Sequence, residues 1–177
     1  MDAEFVDEFA RRFRRRKLFE PTPAHVCDLG RPAIERLVPH RPPFLFVDRI
    51  SALDRKGRAI AGTRHIDPAD PVFAGHFPGD PVYPGALQLE TMGQLGLCLL
   101  AALMRDELPS ASDTAPPARA IKIHHAAFRE AVLPGDDLFI LAKLVERDEY
   151  TAILAGQLLR RDSVCSLGVM EVYFVPA

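Results

Sequence analysis

The chain has 177 residues, 48% apolar and 26% charged, with a formal net charge of −2. That is long enough for one domain with a substantial core, too apolar for a disordered chain, and too near neutrality to favour DNA or RNA as a partner. Cys27, Cys98 and Cys165 are far apart and unpaired in spacing, so neither a disulfide framework nor a zinc site is expected, and a reducing cytoplasm fits. The first residues include Asp2, Glu4, Asp7 and Glu8 with no apolar run behind them, so no secretory leader is expected.

Residues 3–19 read as an amphipathic helix. Phe5, Phe9 and Phe13 recur every four residues, and the charges run from an acidic start to a basic end at Arg11–Lys17, as the helix dipole favours. Pro21 and Pro23 open a linker, so residues 1–30 stand as an N-terminal helix with linker and 31–177 as the main domain. A short helix is expected over 32–38, then strands over 44–50 and 58–66. Residues 67–85 are dense in Pro, Gly and Asp and read as an ordered loop. From Pro84-Gly85 a long apolar helix runs to about Met104. Its length raises the question of a membrane span, but Gln88, Glu90 and Gln94 lie within it, and a mid-bilayer carboxylate is costly. No membrane span is expected. The polar, Pro-rich stretch 109–118 reads as a disordered loop. Four β-rich runs follow near 119–129, 136–148, 150–161 and 164–175, with turns at Pro134-Gly135 and Asp148-Glu149.

Consecutive strands joined by short turns form an antiparallel meander, and a helix apolar on all sides must be enclosed. The fold class is therefore α+β, a curved antiparallel sheet wrapped around one long central helix.

The chemistry concentrates in Phe73–Gln94. Taken alone, His76 reads as a satisfied loop histidine, but it sits in a Gly/Pro-rich loop able to bring backbone close to a ligand. Glu90 is the lone charge of the apolar helix, so it should be neutral, paired or catalytic. Beside a helix start, the two form a candidate acid–base couple. Gly85 offers a free backbone N–H at the positive end of the helix dipole, where a carbonyl could be polarised. Gln94, one turn beyond Glu90, either orients that carboxyl or is an ordinary polar residue at a subunit seam. His124 and His125 are adjacent on a strand and point to opposite faces, so they read as structural, with His125 near a seam. His25, His40 and His65 show no partner pattern, and Cys98 reads as a small core residue.

The stretches LVPHRPPFLFVDRI at 37–50, GHFPGDPVYPGALQLETMGQ at 75–94 and FREAVLPGDDL at 128–138 resemble the β-hydroxyacyl-acyl-carrier-protein dehydratases of type II fatty acid synthesis. The resemblance spans roughly 33–175. It implies a hotdog fold, no metal and no cofactor, the substrate being carried on the phosphopantetheine of an acidic acyl carrier protein. It also implies a homodimer with shared active sites, with a trimer of dimers as its larger assembly. His76 falls on the family's catalytic base, Glu90 on its acid and Gly85 on its oxyanion donor. Gln94, Phe77 and Tyr83 fall among the substrate-binding positions. Glutamate at 90 is similar to the dehydratase-only branch. Tyr83 departs from the pattern, as do the His124-His125 pair and the N-terminal extension, and these leave the acyl chain open, with specialised lipid or polyketide synthesis as a setting.

The expected activity is dehydration of a (3R)-hydroxyacyl thioester to the trans-2-enoyl thioester. Two rivals share the fold: a hotdog acyl thioesterase and a non-catalytic acyl-binding subunit of a synthase.

Overall fold

The computed structural model describes residues 3–105 and 118–174. The stretch 109–117, read above as a loop, lies outside them. Helix α1 (Ala3–Phe13) is followed by a 3-10 turn (Pro23–His25), strand β1 (Val26–Gly30), helix α2 (Arg31–Leu37), and strands β2 (Arg49–Asp54) and β3 (Ala59–His65). A second 3-10 turn (Pro71–Ala74) leads to helix α3 (Gly85–Leu103), and strands β4 (Ala118–Phe128), β5 (Asp137–Arg147), β6 (Thr151–Arg160) and β7 (Ser163–Phe174) complete the chain. The seven strands form one antiparallel sheet in the order β1-β2-β3-β5-β6-β7-β4.

Alternation along the strands divides the apolar residues between two faces. Ile140 and Ala142 of β5, Leu154 and Leu158 of β6 and Met170 and Val172 of β7 share a cluster with Met92, Leu95 and Leu99 of α3. Their sequence neighbours Leu141, Ile153, Leu159, Leu167 and Val169 form a second cluster on the opposite face, with Ala10, Leu18 and Phe19. The sheet thus wraps α3 on its inner face and is covered by the N-terminal segment on its outer face. The span-length apolar helix is a core helix: Met92, Leu95, Cys98 and Leu99 are wholly buried within the sheet. Close approach is needed where β6 crosses α3, since a Cβ at Gly156 would lie 2.5 Å from Met92 Cβ.

The structure departs from expectation in three places. Helix α1 stops at Phe13, six residues early, because Gln157 captures its end. Gln157 Nε2 donates to Phe13 O at 2.6 Å and Arg16 O at 2.8 Å, while its Oε1 accepts from Leu18 N at 2.8 Å. Residues 26–30, read as linker, form edge strand β1 against β2. Residues 44–47 are not paired as a strand: a side chain of α3 bonds their backbone instead, and the chain rejoins β3 only at Asp48 N, which donates to Thr63 O at 2.9 Å. The remaining strands and α3 begin and end within two residues of their expected bounds. The turns stand at Pro134-Gly135, with Gly135 at φ 86°, and at Asp148, whose carboxylate accepts from Tyr150 N and Thr151 N, both at 2.7 Å.

Candidate active site

The loop 66–84 has the ordered character its composition predicts. Asp70 caps the 3-10 turn through Val72 N, and Val72 O accepts from both Gly75 N and His76 N. Val82 N donates to His76 O at 2.9 Å and Tyr83 N to Val132 O at 2.7 Å, which ties the loop to itself and to the sheet. His76 is half-buried, with Nδ1 2.8 Å from Val82 O. A carbonyl only accepts, so Nδ1 carries the proton and Nε2 keeps its lone pair. The ring stacks on Phe77, 4.0 Å between centroids, and Phe77 is itself 53% exposed. Tyr83 lies beneath the loop rather than at a mouth. It is 1% exposed, its ring is 6.3 Å from Phe73, and burial pushes its phenol above the usual range. Gln88 fastens it by donating to Tyr83 O at 3.0 Å.

At the start of α3, Gly85 is the first helical residue, so its N–H has no intrahelical acceptor. A Cβ there would come within 2.8 Å of the Phe128 ring. Glycine at 85 thus makes room for the Phe128 ring, which extends from the end of β4 over the helix start and is half-exposed. Sequence reasoning missed this ring. A lone aromatic at a strand end offers no signal of its own.

Glu90 stands one and a half turns further along. Its Oε1 accepts from Gln94 Nε2 at 2.8 Å and lies 3.3 Å from His40 Nε2. The His40 hydrogen bond, assisted by Gln94 and opposed by partial burial, holds the carboxyl below the ordinary glutamate range. His40, expected to have no partner, is thus the imidazole that Glu90 meets within its own chain. Gln94 serves two masters: its Oε1 accepts from Phe46 N at 2.7 Å and its Nε2 donates to Phe44 O at 3.1 Å. It therefore satisfies the backbone of 44–46 as a neighbouring strand would, and orients Glu90 as well. Glu90, His40 and Gln94 face a cavity of about 180 Å³ whose other walls are apolar, including Leu97, Ile123, Leu154 and Met170. His76 is not on that wall, and within one chain His76 and Glu90 make no contact with each other.

Three further histidines are paired with carboxylates. His25 lies 3.5 Å from Asp54, His65 2.7 Å from Asp137, and His124 2.8 Å from Glu171. The first two were expected to be unpartnered. They pair across sequence gaps of 29 and 72 residues that no local pattern reveals. Cys98 is a core thiol, pushed up to about 12 by burial and so unsuited to nucleophilic work.

A β-sheet wrapped around a single helix, with an imidazole at the helix start and a carboxylate inside, is the arrangement of a hotdog-fold enzyme. Residues 38–165 match the FabA-like domain family, and the chain belongs to that family. A relative from a Nitratiruptor species, 3-hydroxyacyl-[acyl-carrier-protein] dehydratase FabZ, is 40% identical over 124 residues, 70% of this chain and 82% of its own. Its counterpart from an Anaeromyxobacter species is 39% identical over 131 residues, 71% and 80% of the two chains. Among solved structures, the dehydratase heterocomplex ApeI:P from Xenorhabdus doucetiae superposes with a TM-score of 0.65 at 16% identity, covering 81% of this chain and 91% of that one. The E. coli PaaI protein of the phenylacetic acid degradation operon gives 0.53 at 12% identity, covering 72% and 79%. These two likenesses speak to the fold.

Proposed function

We propose that the protein dehydrates a 3-hydroxyacyl thioester, delivered on acyl carrier protein, to the trans-2-enoyl thioester. The observation that carries this is the imidazole of His76, fixed by Val82 O in the tautomer whose Nε2 is free to act as a base. The FabA-like match supports it, since residues 38–165 include both His76 and Glu90. So do the curated relatives named as dehydratases.

In the proposed cycle the acyl chain lies in the apolar cavity below Glu90 and its thioester carbonyl accepts from Gly85 N–H. Polarisation acidifies the α-carbon, and His76 Nε2 takes the α-proton. Glu90, held as a carboxylate by His40 and Gln94, accepts from the β-hydroxyl and fixes its direction. The imidazolium of His76 returns its proton to the departing hydroxyl, which leaves as water while the electrons of the Cα–H bond become the double bond. Protons balance without any cofactor. Because one chain keeps His76 and Glu90 apart, the reading includes a homodimer in which His76 of one copy faces Glu90 of the other. Edge strand β4 supports that assembly: it pairs on one side only, with β7, and leaves Ile121 and Ile123 55% and 56% exposed. The free thiols at Cys27, Cys98 and Cys165 suit a cytoplasmic setting.

The test is mass-spectrometric detection of water loss from 3-hydroxyacyl carrier protein. His76→Ala and Glu90→Gln are each expected to lower turnover about 10²–10⁴-fold with the fold intact by circular dichroism. Release of free thiol without enoyl product, or undiminished turnover in both variants, overturns the reading.

A further inference from the structure

Helix α3 carries two glycines in its interior, Gly93 and Gly96. Glycine there is disfavoured against alanine, so each calls for a reason. At Gly96 the reason is packing: a Cβ would lie 2.8 Å from Leu154 Cδ1. The sheet glycines that face α3 follow the same rule, Gly156 against Met92 and Gly168 against Leu89, whose Cδ2 would be 2.8 Å away. Gly93 is different. Among the described residues, a Cβ there would have only Met170 Sδ within reach, at 3.8 Å, an ordinary van der Waals contact. It sits in regular helix, a backbone that any residue adopts. Neither packing within the chain nor backbone geometry asks for glycine at 93.

What Gly93 faces is the cavity of about 180 Å³ below Glu90. Glu90, Gly93 and Leu97 follow at spacings of three and four, so they form a row along one face of α3, and all three line the cavity. From Glu90 to Leu97 is about 10 Å of helix. Beyond the end formed by His40, Glu90 and Gln94 the lining is wholly apolar, with Met170 opposite Gly93. A hydroxyl or keto group carried into that part would lose its water and find no partner. A dry cavity of about 150 Å³ takes up one benzene, so this one holds on the order of six carbons.

We propose that Gly93 is a specificity-determining residue: by withholding a side chain, it opens the wall of α3 to a medium-length, unfunctionalised hydrocarbon tail on the 3-hydroxyacyl group. The inference rests on the proposed dehydratase reading, in which the β-hydroxyl lies at Glu90. The tail then runs from Glu90 past Gly93 toward Leu97, away from the reacting carbons. A methyl group at 93 narrows that path one turn beyond Glu90 and so acts on long tails more than on short ones. The helix gives up stability at 93, and what it gains there is room for substrate.

The experiment uses the full chain as wild type, Gly93→Ala, Gly93→Ala with Met170→Ala, and Gly96→Ala. Both kcat/KM and calorimetric affinity are measured with the pantetheine thioesters of 3-hydroxybutyrate and 3-hydroxyoctanoate. In Gly93→Ala the ratio of octanoyl to butyryl kcat/KM is expected to fall about tenfold or more, the usual worth of one methylene's space in an apolar pocket. Its Tm should hold or rise, as for any unpacked helix glycine turned to alanine. Met170→Ala clears the facing wall and should return the ratio toward the wild-type value. Gly96→Ala, forced against Leu154, should lower Tm instead. A terminal hydroxyl on the octanoyl tail should cost the wild type about tenfold in kcat/KM. An unchanged ratio in Gly93→Ala overturns the inference, as does equal turnover of the plain and hydroxylated tails. So does a lower Tm or a changed oligomeric size by light scattering in Gly93→Ala, since either assigns the glycine to close packing, within the chain or against a second copy. If the wild type dehydrates neither thioester, the dehydratase reading falls, and the same ratio taken from the affinities decides the role of Gly93.

Discussion

His76 and Glu90 owe their chemical states to hydrogen bonds. For His76 the bond to Val82 O fixes which nitrogen is basic, and for Glu90 the bond from His40 keeps the carboxyl ionised. A carboxyl whose folded value is lowered contributes stability above its ordinary range, near about 4.3, and loses that contribution as pH falls through the lowered value. Urea midpoints measured from pH 7 downward should therefore drop more steeply in the wild type than in Glu90→Gln across that acid window. His40→Phe should also flatten the slope, since it removes the largest cause of the shift. The Gly85 position gives a second residue-level expectation. Gly85→Ala drives a methyl group into Phe128, whose ring is half-exposed and can swing aside. The fold should survive, with KM raised and the ring displaced over the helix amide. Adding Phe128→Ala should restore room for the methyl, and a crystal structure of the pair with kinetics of both variants would check it. The sequence singled out His76 and Glu90 because loop and helix are adjacent in it, but within one chain each finds a different partner, Val82 O and His40. His40 was not singled out, because it reaches Glu90 across 50 residues of intervening chain and sheet.

Two buried glutamines organise whole elements. Gln157 is 0% exposed and makes three backbone bonds that end α1 and seat residues 13–18 on the outer face. Replacing it with leucine leaves an N–H and two carbonyls unpaired, at a cost of about 1–3 kcal/mol for each group that water cannot reach. Gln157→Leu should lower the urea midpoint and expose the Arg11–Arg16 segment to trypsin while the rest of the sheet resists. Gln94 does for 44–46 what a paired strand would do, which explains why an apolar run with good β-propensity stays outside the sheet. The pattern FLFVD reads as a strand, and nothing local says that its partner is a side chain. Strand β1 escaped notice for the opposite reason. Five residues at an edge, beginning with a 69% exposed Val26, lack the alternation that betrays longer strands. Where β6 meets α3, Gly156→Ala pushes a methyl group against Met92, which is wholly buried and cannot yield as Phe128 can. A loss of about 1–3 kcal/mol is expected from overpacking, read as a lower Tm.

At the scale of the molecule, the sequence made the inner helix and the last four strands plain because each is long and its period consistent. It could not show the outer cover, whose contacts join residues 10–19 to strands more than 120 positions away. The assembly belongs to this scale too. If β4 is the seam, Ile121→Asp should yield a monomer by light scattering and lose turnover with it, whereas a surface change such as Glu149→Lys should do neither.

The sheet order carries a consequence for the birth of the protein. Among the described residues β4 hydrogen-bonds only to β7, so the fourth strand must wait for the seventh. On a ribosome the seam strand lacks its neighbour until Ser163–Phe174 has emerged, and two nascent chains cannot join through it before then. A stop codon placed before Ser163 should leave β4 without a neighbour, the Glu90 cavity without Met170 and Val172, and the polypeptide to the cell's proteases.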